Sequence, residues 1–385
     1  MPRTLDRQSL RCIRLPRVTL VASGLLASSL LSACLPIESA LRLIRLVAEG
    51  QQLHYEPTIV PYQQGAYLLG PQWTIDGLYA SPNLGDPPLC ATTTGVALAG
   101  AWGWLPNAGV LLLDATTGDR VWTETGLGVW HIACAPDAVF IGRGYMVWRR
   151  NSQNGQGEWR HWLPVPGDIV HLHAAEGKVY VWTRPNDETT IMDAGTGETQ
   201  HVASFNDARE LLLVRDDAAL AGYGALMSFG LDADQPAWRA ILSGGIYETP
   251  AITNSTIYVR SGEAVGRVYA LERSSGEVTW STAEYIRSNL AHTSQGLYVL
   301  TDRGELQLLD PLSGQPTTLL QFHPQELPVG LDNGGYYLAA SEETGTLYVY
   351  LGATYQLMAF QFDSRQLSRP GDPGPTTLPP SNQLP

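Results

Sequence analysis

VYALERSSGEVTW, residues 268–280, and VLLLDATTGDRVW, residues 110–122, are two copies of one phrase. Each runs as an alternating apolar strand that ends in a carboxylate, three turn residues, a glycine and, four residues later, a tryptophan. An Asp or Asn at the end of a strand accepts backbone amides two residues on, and glycine supplies the positive φ that closes the hairpin. The tryptophan then rides on the returning strand, where its indole packs against a neighbouring repeat. The phrase recurs at 147–159, 191–201 and 306–318, and in degenerate form at 226–238, where Asp234 takes the glycine position. Its acidic or amide position is Asp114, Asn151, Asp193, Glu272 and Asp310; its glycine position is Gly118, Gly155, Gly197, Gly276 and Gly314. The mean spacing is about 39 residues. A seventh copy, YQLMAFQF (355–362), follows a longer insertion and lacks the turn glycine.

Two more short strands precede each phrase, for example ELLLVR (210–215) and AITNSTIYVRSG (251–262). Strands and turn signals every 8–12 residues mark an all-β chain. Four strands in about 40 residues make a unit that buries its faces only against the next such unit. The predicted fold is therefore an all-β β-propeller of seven four-stranded blades over residues 51–367. Residues 51–87 are long enough for an eighth blade but carry no turn phrase. Gly70-Pro71-Gln72-Trp73 reads instead as an outer strand that closes the last blade and removes an exposed sheet edge.

The phrase resembles the pyrroloquinoline-quinone-like repeat, an alternating strand with Ala-Leu-Asp, a turn, Gly and Trp. The resemblance spans roughly residues 88–362 and speaks to fold more than to activity. A lipidated protein of this repeat is similar to the accessory lipoproteins of outer-membrane β-barrel assembly, which implies a non-enzymatic scaffold. Those have eight blades, against the seven phrases found here.

The N-terminus carries the lipidation signal. Arg3, Arg7, Arg11, Arg14 and Arg17 precede the apolar run Val18–Leu31, too short at 14 residues to span a bilayer. It ends in Leu31-Ser32-Ala33-Cys34, a lipobox, so residues 1–33 are expected to leave as a signal peptide and Cys34 to be acylated. That places the protein outside the cytoplasm, tethered to a membrane. Leu35, rather than Asp, after the cysteine favours the outer membrane where the host has one. Residues 34–50 form a linker with amphipathic helical spacing at Ile37, Leu41, Ile44 and Val47. Residues 368–385 are a Pro-rich tail expected to lack a fixed structure.

Charge narrows the partners. The formal net charge is −13, and loss of residues 1–33 takes it to −17, with Lys178 the single lysine. Such a chain is not a nucleic-acid binder. The expected partners are envelope or membrane proteins and the bilayer itself, with the protein a monomer within a larger complex.

Chemistry-bearing residues are few, and no cofactor or metal is expected. Cys90 and Cys134 lie in the first strands of consecutive repeats, in an oxidising compartment that permits a disulfide. With Val96 and Val139 aligned, they fall six and five residues upstream. That opposite parity puts them on opposite sheet faces, and by this reading a bridge needs a register slip. His131, His171 and His173 fall on first strands and could converge at a channel mouth as a ligand site; hydrogen-bonded channel histidines are the plainer reading. The expectation is a non-catalytic binding scaffold, with the segment 77–88 as a binding loop. Two alternatives are a quinoprotein-like extracytoplasmic oxidoreductase and a glycan- or small-molecule-binding lipoprotein using Trp102, Trp104, Trp130 and Trp148.

Overall fold

The structure is a computed structural model. It describes residues 71–362 apart from 81–86, 103–107, 127–129, 164–166, 185–187, 205–210, 215–218, 222–224, 231–234, 247, 263–264, 323–334 and 353. The signal, Cys34, the linker and the Pro-rich tail lie outside the described residues.

The first described strand is β1 (Trp73–Ile75), followed by β2 (Leu78–Ala80), β3 (Leu89–Ala91), β4 (Gly95–Trp102), β5 (Ala108–Asp114) and β6 (Arg120–Thr125). Strands β2 to β6 form blade I. Blade II is β7 (His131–Ala135), β8 (Ala138–Arg143), β9 (Met146–Asn151) and β10 (Gly157–Trp162). Blade III is β11 (Asp168–Ala175), β12 (Lys178–Arg184), β13 (Glu188–Asp193) and β14 (Thr199–Ser204). Blade IV is β15 (Leu211–Val214), β16 (Ala219–Ala221), β17 (Leu226–Phe229) and β18 (Trp238–Ala240). Blade V is β19 (Ala251–Ile252), β20 (Thr256–Ser261), β21 (Arg267–Glu272) and β22 (Val278–Ser281). Blade VI is β23 (Ala291–Thr293), β24 (Gly296–Leu300), β25 (Glu305–Leu309) and β26 (Pro316–Gln321). Blade VII is β27 (Tyr336–Ser341), β28 (Thr346–Leu351) and β29 (Gln356–Gln361), completed by β1.

The architecture is an all-β propeller, with one correction to the expectation of seven four-stranded blades. Among the described residues six sheets are four-stranded and one, blade I, has five strands. There the inner strand is split: β2 and β3 lie end to end along β4, with Tyr79 opposite Ala101 and Cys90 opposite Ala97. The eight residues of β4 are long enough to hold both.

Closure comes from the N-terminal strand. Trp73 of β1 sits opposite Ala359 of β29, so the outer strand of blade VII belongs to the start of the chain. This explains why the seventh phrase lacks its glycine: no hairpin follows β29, so no positive φ is needed there. Apolar clusters fill the spaces between blades. One joins Leu98 and Leu111 of blade I to Tyr350 and Leu357 of blade VII, and another joins Leu112 of blade I to Ile141 and Trp148 of blade II. Burial of one blade face against the next is the main driving force, at about 25 cal/mol per Å² of apolar surface.

The repeated phrase works as a clasp. Asp114 Oδ1 accepts the amides of Thr116 and Thr117, both at 2.9 Å, and Gly118 at φ +74° returns its amide to the Asp114 carbonyl. Asp193 and Asp310 repeat the arrangement. Glu272, one carbon longer, takes the Ser274 and Ser275 hydroxyls instead. The turn then receives the tryptophan of the preceding blade. Trp122 Nε1 donates to the Ser152 carbonyl at 3.2 Å, and a Cβ at Gly155 would stand 2.6 Å from the Trp122 ring. Trp159, Trp238 and Trp280 meet Ala194, Arg273 and Pro311 in the same way, and Trp73 meets Ala115 across the closure. Glycine is needed twice over at these turns, for φ and for space. Where the following blade offers no turn glycine, the tryptophan position holds another residue: His201 before Asp234, and Thr318 before blade VII.

Candidate functional site

The first strands of the blades line a central cavity of about 430 Å³. Its described wall comes from β3, β7, β11, β19, β23 and β27 and the residues beside them. The wall is mostly alanine, leucine and proline, with Cys90, Cys134, His173, Thr249, Asn289 and His292 as its distinctive side chains. Each of these strands has a ladder partner on one side only, apart from an isolated parallel bridge between Tyr336 of β27 and Ser288, so backbone edges face inward. Asn289 covers part of one such edge: its Oδ1 accepts the Leu338 amide at 2.7 Å and its Nδ2 donates to the Leu338 carbonyl at 2.9 Å.

The structure brings Cys90 and Cys134 together as a disulfide, with Cα atoms 5.7 Å apart. The parity read from the sequence is right and its consequence was inverted. Cys90 shares a sheet face with Ala97, which packs toward blade II. Cys134 shares a face with Val139, which packs toward blade I. Consecutive blades present opposite faces to each other, so opposite parity is what a bridge between them requires, and no register slip occurs. The bond is a staple between the inner strands of blades I and II.

The three histidines do not converge. His131 and His171 are each only 5% exposed and are absent from the cavity wall; His173 alone lines it. His131 stands opposite Gly142 of its own blade, and its Cβ lies beside the position that also touches Ile169 and Leu172 of blade III. It is thus held in a blade interface. His171 stacks on Trp182 at 5.3 Å, with the Arg184 guanidinium 4.9 Å from the same indole. His171 and His173 share a sheet face, so position along β11 rather than parity leaves only His173 in the cavity wall.

The second imidazole in the wall is His292, which the sequence reading did not single out. It stacks on Tyr258 at 6.0 Å. Burial holds its pKa below the ordinary imidazole value, partly offset by the Glu342 carboxylate. Buried Arg260 and half-buried Glu248 form a bidentate pair, with Nε to Oε2 at 3.0 Å and Nη2 to Oε1 at 2.5 Å. Burial first, and then the Glu248 charge, push the Tyr337 phenol up to about 12, with Arg260 opposing.

Among the described residues no group of three His, Cys, Asp or Glu side chains is placed to hold a metal ion. The described cavity wall contains no carboxylate. The proposed stacking tryptophans are also reassigned. Trp130 and Trp148 are 2% and 4% exposed and pack edge to face at 5.8 Å, so they belong to the interface of blades I and II. Trp104 and the side chain of Trp102 lie outside the described residues. In the segment 77–88, Leu78 and Ala80 are buried and paired to β4, and 81–86 lies outside the description.

Comparison with known proteins finds the repeat in part of the chain. The family model described as outer membrane protein assembly factor BamB, of the PQQ-like repeat type, matches residues 208–318. The crystal structure of BamB from Moraxella catarrhalis is 14% identical, covers 77% of this chain and 100% of its own, and superposes with a TM-score of 0.48. A chain in the crystal structure of the Mitotic Checkpoint Complex is 10% identical, covers 78% of this chain and 94% of its own, and gives a TM-score of 0.55. At such an identity this second likeness is one of fold alone. No curated protein matches the sequence. The chain is a β-propeller that is similar to BamB over the matched residues.

Proposed function

We propose that this protein is a non-catalytic binding scaffold of the bacterial cell envelope, anchored by lipid on Cys34 and engaging protein partners through its propeller loops. The observation that carries the reading is the match of residues 208–318 to the repeat of an outer membrane protein assembly factor. Two features support it. A ring of clasped blades is a rigid platform whose loops vary without cost to the core. The Leu31-Ser32-Ala33-Cys34 motif supplies the tether, and two or three acyl chains hold a protein firmly where one does not.

The test uses the full chain in its native host. Metabolic labelling with palmitate is expected to mark the wild type and not Cys34→Ala, which leaves the membrane fraction. Crosslinking followed by affinity capture is expected to recover a reproducible envelope protein, and propeller-loop substitutions to abolish that recovery. Absence of label on Cys34 removes the anchor from the proposal. Absence of any loop-dependent companion removes the scaffold.

A further inference from the structure

The outer corner of blade II carries a set of side chains that the scaffold reading does not use. Cross-strand register puts Arg143, Met146 and Trp162 in one row over β8, β9 and β10, and Ile141, Trp148 and Arg160 in the next row. Paired residues share a sheet face, so all six lie on the face toward blade I. The Arg143 guanidinium sits 5.0 Å from the Trp130 ring and that of Arg160 sits 5.8 Å from Trp148, with the two indoles packed between. Neither arginine meets a carboxylate among the described residues. The nearby Glu124 of blade I is taken by Arg150. Trp148 Nε1 likewise has no acceptor among the described residues.

Beside this donor-rich corner stands an exposed aromatic pair. Tyr145 and Trp162 are 49% and 57% exposed, and their rings lie 5.1 Å apart at 38°. Most large apolar side chains of the fold are buried, so two adjoining rings left in solvent form a ready platform. In a chain of net charge −13, two cations without acidic partners among the described residues mark the place where an anion is attracted rather than repelled.

We propose that this corner binds an acidic saccharide, its sugar face stacked on Trp162 and Tyr145 and its carboxylate or phosphate held by Arg160 and Arg143. Aromatic rings meet the C–H face of a sugar, and guanidinium forks match planar or tetrahedral oxyanions. A neutral glycan leaves the arginines unused, and a free anion leaves the rings unused. The proposal does not depend on the scaffold reading, since the observations behind it concern the side chains of blade II and not the family match or the anchor.

Full-length protein purified from its native membrane in detergent is titrated calorimetrically with three kinds of probe. These are oligogalacturonate with phosphorylated and sulfated oligosaccharides, a neutral galactose oligomer of matched length, and phosphatidylglycerol vesicles. At least one acidic oligosaccharide is expected to saturate a single site and to outbind the neutral oligomer at least tenfold. Trp162→Ala and Arg160→Gln, both exposed and outside the core, are each expected to weaken it at least tenfold with the unfolding midpoint unchanged. Which acidic group binds best separates carboxylate from phosphate recognition. The proposal is overturned by no saturable binding across the acidic set, by equal binding of the neutral oligomer, by binding indifferent to Trp162→Ala, or by binding to the vesicles alone.

Discussion

Reduction of the Cys90–Cys134 bond offers the most direct test of how the ring is held. The two cysteines are 44 residues apart, so the bridge closes a loop that spans one blade. In the chain-entropy treatment a loop of about 45 residues removes about 13 cal/mol/K from the denatured ensemble, or ~4 kcal/mol at 25 °C. Spread over the unfolding entropy of the nearly 300 residues from 71 to 362, that is a loss of about 6 °C in Tm. The bond joins the inner strands of blades I and II, which Trp122 on Gly155 also clasps farther out, so loss of the staple weakens the interface without opening it. Thermal and urea unfolding with and without a phosphine reductant, with alkylation mapped to the Cys90 and Cys134 peptides, reads the effect. Cys90→Ala/Cys134→Ala is expected to match the reduced wild type. An unchanged midpoint in protein shown to be fully reduced would refute the reasoning, as would alkylation of both cysteines before reduction.

Three further outcomes are expected. Gly155→Ala carries both a positive φ and a collision with the Trp122 ring, for about 2–4 kcal/mol in all, whereas Gly144→Ala, with open space around it, costs about 1 kcal/mol; equal losses in urea midpoint would remove the clasp argument. Glu248→Gln leaves buried Arg260 without its carboxylate at a cost of about 3 kcal/mol or more, and Arg260→Met in the same chain is expected to recover part of it; no recovery would mean that the pair is not the cause. His292 has its folded pKa below the unfolded value, so its contribution is complete above the unfolded pKa of about 6.5 and is lost as the pH falls. Urea midpoints at pH 7.5 and 5.5 should therefore differ less in His292→Gln than in the wild type, and an equal difference would sink the assignment.

Much of the fold was legible because its causes are local. Asp114 reaches amides two and three residues away, Gly118 closes its own turn, and the strand alternation is a period of two along one chain segment. Even the clasp left a sequence trace, since tryptophan is kept where the next repeat supplies a glycine and is absent where it does not. The outer strand at Trp73 could be read for the same reason: it carries a tryptophan with no blade of its own.

What tertiary structure decided was which face of one blade meets which face of the next. That relation joins residues about 40 positions apart through the twist and ring arrangement of the sheets, and no local pattern encodes it. It turned the opposite parity of Cys90 and Cys134 from an obstacle into the condition for a bridge. It buried His131 and His171 between blades while leaving His173 and His292 on the axis. It also hid Trp130 and Trp148, and set Tyr145 and Trp162 in solvent beside two arginines, although all four aromatics look alike on the page.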